Sequence, residues 1–250
     1  MIKKLVIAAV LFTATHVSAQ SSLGIQSARI EFGGSQDEVQ NFQAGASIGV
    51  DVAITSFHGL QGDLRFSDTA NGMIGQLGAH LYMTPKPGQK YGVMATLSDV
   101  DGRSMMWGSL GVEGMFSLSR NTVVEGRTGL GVADEGGLDF IFAGVSLAHR
   151  FNPALEFETF IDVAEFDEAA LQAISYEAGI AAHYSPDGAP WGIYASLTHS
   201  DLGGRDGTRG ETRVGLGLTI EFGASRSVDP ASRQFRTSDP VAPLVRRGLW

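Results

Sequence analysis

A side-chain alternation of period two, repeated from about residue 23 to residue 222, constrains this chain more than any other feature of it. Its plainest copy is residues 211–222, E-T-R-V-G-L-G-L-T-I-E-F. Val214, Leu216, Leu218, Ile220 and Phe222 form one set and carry no polar side-chain atom. Arg213, Gly215, Gly217, Thr219 and Glu221 form the other, small or charged throughout. Successive side chains of a strand point to opposite faces, so the two sets separate across a sheet. An apolar face backed by a polar one is what a strand between lipid and water requires.

The alternation recurs in about twelve segments of roughly ten to fourteen residues: 23–33, 41–54, 58–67, 72–83, 90–98, 104–118, 121–133, 138–151, 154–165, 173–184, 191–200 and 211–222. That length suits a tilted strand crossing a bilayer. The fold expected is all-β: a closed, antiparallel, up-and-down transmembrane β-barrel of ten to twelve strands, twelve being the preferred count. Tight or proline-marked turns (55–57, 119–120, 152–153, 185–190) alternate with acidic and often longer connections (34–40, 99–103, 134–137, 166–172, 201–210). Short turns on one side and longer loops on the other fit a barrel with its short turns in the periplasm. An even strand count returns both termini to that same side. Residues 166–172 are compatible with one helical turn, and no other segment argues for helix.

Residues 1–19 read separately. Lys3 and Lys4 precede an apolar run over 5–12, and Val17-Ser18-Ala19 offers a small-residue cleavage site, the pattern of a cleaved secretory signal peptide. Without it the chain holds 16 basic and 27 acidic residues, a net charge of −11. Such a balance excludes binding to nucleic-acid phosphates, which needs basic patches. Cysteine is absent, so neither disulfides nor thiol chemistry enters. After the signal no run approaches the ~20 apolar residues of a membrane helix.

The signal peptide, the dyad repeat, the asymmetric connections and the aromatic Phe222 ending the last strand together resemble the porin-like outer-membrane β-barrel proteins of Gram-negative bacteria. The likeness covers about residues 20–222 and is one of class; no motif selects a member. It implies a location in the cell outer membrane. It also implies contact with outer-membrane lipid and lipopolysaccharide, and assembly by machinery that reads the terminal aromatic. Members of the class commonly end there. Here residues 223–250 follow, with five arginines and three of the eight prolines. They read first as a basic, disordered periplasmic extension and second as a plug, opposite in charge to the lumen.

Parity assigns the faces. Outward aromatics at the expected periplasmic ends are Tyr91, Phe116, Phe151, Phe157, Tyr184, Trp191 and Phe222; Phe32, Phe42, Phe66 and Tyr176 fall at the opposite ends. Two aromatic girdles around an aliphatic band fit a bilayer better than a soluble lipocalin-like barrel. Twelve strands close at a backbone radius of roughly 12 Å, between filled small barrels and open porins. The inward face mixes glycines with bulky residues such as Tyr82, Trp107, Phe142, Phe160 and Tyr194. Glu113, Glu125, Glu156, Glu158, Asp162 and Glu177 make an acidic lumen wall, with Arg29, Arg65, Arg127 and Arg213 as counter-charges. Carboxylates in excess over arginines favour cations in a pore.

The expected function is a narrow, passive, porin-like channel for small solutes or cations. A structural or surface-interaction barrel with a filled lumen is the alternative, and a rim hydrolase the third reading. Thr198-His199-Ser200-Asp201 holds hydrolase residue types, but adjacent strand residues face opposite sides, so His199 and Ser200 do not meet. His80 and His183 are expected in the lumen about half a barrel apart, without metal-ligand spacing. Acidic outer loops (Asp37, Glu38, Asp134, Glu135, Asp167, Glu168) read as solvated charge. No cofactor or metal motif is present, and no catalytic residue is assigned.

Overall fold

The computed structural model describes residues 24–39, 41–103, 105–134, 138–167 and 171–249; the expected signal peptide at 1–19 lies outside them. Twelve strands carry the alternation. They begin with β1 (Ile25–Asp37), β2 (Phe42–Ala53), β3 (His58–Thr69) and β4 (Gly72–Lys86). Next come β5 (Gln89–Val100), β6 (Met106–Ser119), β7 (Thr122–Ala133) and β8 (Asp139–Asn152). β9 (Leu155–Asp167), β10 (Gln172–Tyr184), β11 (Trp191–Gly203) and β12 (Thr208–Gly223) complete the wall. Every strand pairs antiparallel with its neighbours in sequence, and β1 pairs with β12 to close the barrel. The closing ladder runs from Ser27 opposite Gly223 to Asp37 opposite Arg213. Closure leaves no strand edge, the condition for a sheet in lipid.

Ile25 and Gly223 lie at one end of the barrel, called the near end below; the β1–β2 connection lies at the far end. Around the middle, the outward Leu77, Leu110 and Leu216 are 58%, 64% and 66% exposed. Exposure on that scale all round a waist is untenable in water and natural against acyl chains. All seven near-end aromatics expected from parity lie on the outer surface, and Phe32, Phe42, Phe66 and Tyr176 do so toward the far end. Some pair edge to face, Tyr91 with Phe116 at 5.3 Å and Phe151 with Phe157 at 5.2 Å between centroids.

Two details depart from the sequence reading. The difference between long and short connections is slight, because strands absorb much of the expected outer loops: 34–37 belong to β1, 99–100 to β5, 201–203 to β11 and 208–210 to β12. Backbone pairing continues past the bilayer, where both faces of a strand can be polar. Likewise, the ends of the possible helical turn at 166–172 are strand, Phe166 and Asp167 in β9 and Gln172 in β10, with Gln172 paired to Asp167; residues 168–170 lie outside the described residues.

Inside, aromatic side chains fill the space over glycines of nearby strands. Tyr194 covers Gly33 and Gly217, and Phe142 covers Gly129; a Cβ at any of these glycines would strike the aromatic side chain. Large and small inward residues are thus partners in one packing scheme. Glycine makes room, and the ring fills it.

The larger correction concerns the tail. Residues 225–249 are not a disordered extension: they enter at the near end and thread the lumen to the far rim. Phe235, Val241, Leu244 and Val245 are fully buried there. Each such side chain contributes about 1.5–3 kcal/mol when removed from water, a gain an extension in the periplasm would forgo. Among the described residues one short helix forms, α1 (Ala242–Arg246), with a proline in its first turn. Gly248 follows in the left-handed conformation that ends a helix (φ 64°).

Candidate functional site: the lumen and its plug

The near half of the lumen holds the tail with charge. Arg226 meets Glu221 at 3.1 Å and Glu31 at 3.4 Å. Arg233 donates to Glu156 at 3.0 Å and approaches Glu158 at 3.4 Å, while Arg150 holds the other side of Glu156 at 3.1 Å. Arg236 donates to Asp162 at 2.7 Å and lies over the Phe160 ring at 4.5 Å. Its backbone N–H donates to Glu125 at 3.2 Å, and Arg127 bonds the same carboxylate. These are charge-assisted contacts in a confined space, where each guanidinium offers a fork of donors.

Between these pairs sits Phe235, held like a residue in a ladder. Its N–H donates to Gln61 Oε1 at 2.7 Å, and Gln61 Nε2 donates back to its carbonyl at 3.0 Å. His80 stacks on the ring at 5.6 Å. The same imidazole bridges two wall carboxylates, Asp63 at 2.8 Å and Glu113 at 2.6 Å. Lys90, fully buried, sits 3.7 Å from the Tyr82 ring centroid and 4.6 Å from that of Phe235. Its ammonium donates to the Arg233 carbonyl at 2.8 Å and faces Asp51 at 3.5 Å, a carboxylate that also accepts from the Tyr82 hydroxyl.

The far half holds the tail differently. Val241, Leu244 and Val245 pack into a cup of inward residues from β4 to β11, including Ile74, Val100, Trp107, Phe140, Phe166 and Leu202. Trp107 Nε1 donates to Asp239 at 3.0 Å, and Arg127 to the Ser238 hydroxyl at 3.1 Å. Asp239 also accepts from the Val241 N–H at 3.0 Å, and its second carboxylate oxygen is buried without a partner. Above the cup, Arg246 bonds Glu211 at 3.0 Å and also Glu177, and its carbonyl accepts from Asn71 at 2.8 Å. Arg247 donates to the Ser200 carbonyl at 2.6 Å.

A cavity of about 340 Å³ remains beside the tail, lined on the wall side by Arg29, Arg65, Ser47, Tyr194 and Ser196 and on the tail side by Pro243 and Arg246. Residues of β1–β4 and β7–β12 border it together with the tail.

All six residues of the expected acidic wall face the lumen, as do Arg29, Arg65, Arg127 and Arg213. The premise that several of those carboxylates lack a basic partner does not hold. Glu113 has His80, Glu125 has Arg127, and Glu177 has Arg213 and Arg246. Glu156, Glu158 and Asp162 have tail arginines. The count behind that premise set the wall against itself; the second reading of the tail, a plug opposite in charge to the lumen, supplies the missing cations. Sequence reasoning missed Lys90 and Glu211, although parity places the first inward beside the outward Tyr91 and the second inward with Arg213. His80 and His183 are luminal, His183 lying 5.8 Å from the Tyr194 ring. Ser200 is buried under Arg247, whereas the His199 ring contacts Thr212 at 3.0 Å; the two form no catalytic pair.

Solved structures share this architecture. The NanC porin superposes with a TM-score of 0.58 at 9% identity, covering 76% of this chain and 98% of its own. An outer membrane channel from Pseudomonas putida F1 gives 0.57 at 11% identity, covering 80% and 96%. The fold is that of the outer-membrane porins. The KdgM porin agrees, with a TM-score of 0.54 at 10% identity over 78% and 99%. At such identities the likeness is one of fold. No protein-family profile matches the chain, and no curated protein matches it.

Proposed function

We propose that this porin-fold chain is an outer-membrane channel that rests closed, with its own C-terminal tail as the stopper. The observation that carries the reading is the threading of residues 225–249 through a twelve-stranded bore, on side chains supplied by nearly every strand. In this reading the near end faces the periplasm, the apolar waist meets lipid and lipopolysaccharide, and assembly machinery engages the β12 end at Phe222. The exported chain works as a passive conduit for small solutes, with no catalytic group.

Withdrawal of the tail removes five guanidinium groups from the lumen. Glu125, Glu156, Glu158, Asp162 and Glu177 then line a bore of roughly 12 Å backbone radius, and a wall of that sign gives weak cation preference. Planar-bilayer recording tests both parts. The full chain is expected to be nearly silent, and a chain ending at Phe222 to conduct with a reversal potential on the cation side in a salt gradient. Anion preference in the shortened chain would refute the assigned selectivity.

The filled lumen also favours a second reading, a structural or surface-interaction barrel that never opens. Silence of the shortened chain, inserted and folded, supports that alternative.

A further inference from the structure

The far half of the lumen is built as a receptor, and the tail sits in it as a ligand does. Lower on the same strands the inward positions are polar, as Glu113 on β6, Arg127 on β7 and Asp162 on β9 show. Toward the far rim they turn apolar: Ile74, Val100, Trp107, Phe140, Phe166 and Leu202. Facing lipid does not require this, since these side chains point away from it. An apolar cup at a water-facing mouth requires an occupant.

The occupant's chemistry is written in the tail. V-A-P-L-V-R-R places three fully buried aliphatic side chains in the cup, then a guanidinium on Glu211 and Glu177 and another on Ser200. Its attachment is noncovalent and its fit incomplete. Asp239 Oδ2, Gln76 Oε1 and Arg236 Nε are buried without a partner in the protein. The 340 Å³ cavity lies directly against Pro243 and Arg246, so a second segment has room to begin docking before the first leaves. Around the rim, Asp37, Asp68, Asp101, Asp134 and Asp201 give the far end an acidic face that draws cations.

We propose that the far-mouth cup binds short cationic peptides, a few aliphatic residues followed by arginine, arriving from the far side, and that their binding displaces the tail from the cup. The inference rests on the closed-channel reading. Apolar residues seat in the cup, and Glu177 with Glu211 selects for the guanidinium. A peptide with acids in place of the arginines meets two carboxylates and is rejected.

The test uses the full chain carrying Leu244→Asp and Val245→Asp, which places carboxylates in the cup and frees the tail. The probe is a synthetic peptide of residues 240–250, P-V-A-P-L-V-R-R-G-L-W. Added at the far side, it is expected to block the variant's current saturably, at least tenfold more tightly than the same peptide with both arginines replaced by glutamate. In the unsubstituted chain it is expected to expose the displaced tail to protease, which the acidic version does not. A variant as silent as the parent sinks the closed-channel reading and this inference with it. A conducting variant that ignores the peptide, or responds equally to the acidic version, overturns the receptor alone. Should L244D/V245D fail to assemble, Arg246→Glu with Arg247→Glu frees the same segment without touching the cup, and the same two outcomes apply.

Discussion

The two halves of the lumen hold one tail by opposite means. In the near half, Arg226, Arg233 and Arg236 are fixed by wall carboxylates, and only Phe235 adds a large apolar contact. In the far half, Val241, Leu244 and Val245 fill an apolar cup, with arginines at its rim. Ion pairs that need dehydration return little net free energy, yet leave an uncompensated charge when one member is removed. Apolar contacts are weakly directional and insensitive to salt. The near half therefore sets register and sign, and the far half supplies most of the holding energy.

The strongest way to break that contrast is to attack the apolar seat. Leu244→Asp alone removes a packed side chain and buries a carboxylate, together about 3–5 kcal/mol or more. The expected result is loss of tail protection against protease while the barrel keeps its strand content by circular dichroism. Next in size, Lys90→Met leaves Asp51 without its cation at a fully buried site. The expected cost is about 3–5 kcal/mol, read as a lower unfolding temperature, because this pair ties the wall to the tail carbonyl of Arg233. Arg233→Ala, which frees Glu156 and Glu158, should cost less, about 1–3 kcal/mol, since Arg150 still holds Glu156. Its effect on tail release should shrink as salt rises, whereas that of Leu244→Asp should not. Equal salt dependence for both would erase the distinction between the halves.

The smallest expected effect has the opposite sign. Asp239 lies in the lumen with one carboxylate oxygen, Oδ2, buried and lacking a protein partner, so a charge there works against the inserted tail. Asp239→Asn keeps an oxygen for Trp107 and Val241 and removes the charge. Tail protection should rise by about 1 kcal/mol; a fall would show that the ionised form is the one the site favours.

How much of this was legible in the sequence divides along the same lines as the physics. Wall strands announce themselves because lipid and lumen impose a period of two, so Leu216 against Gly217, or Tyr91 against Gly92, assigns both faces without further information. The tail obeys no such rule. Phe235, Val241 and Leu244 are apolar residues scattered among prolines and arginines, a composition shared with disordered segments. Their partners are inward residues far off in sequence, as Phe235 with Gln61, 174 positions apart, shows. One signal was available: a basic tail beside a lumen with too many carboxylates. Charge imbalance pointed to the plug, but no local pattern fixed its depth, its register or the cup at the far rim.

The central claim is that the tail crosses the membrane inside the barrel, and the absence of cysteine makes it open to direct measurement. Single cysteines at Asp229, near the entry, and Leu249, at the far rim, can be challenged with a membrane-impermeant thiol reagent on intact cells. The account predicts labelling at 249 and none at 229 until the outer membrane is opened. Protection of both positions in intact cells, with both labelled once the membrane is opened, would contradict it and return the tail to the periplasm.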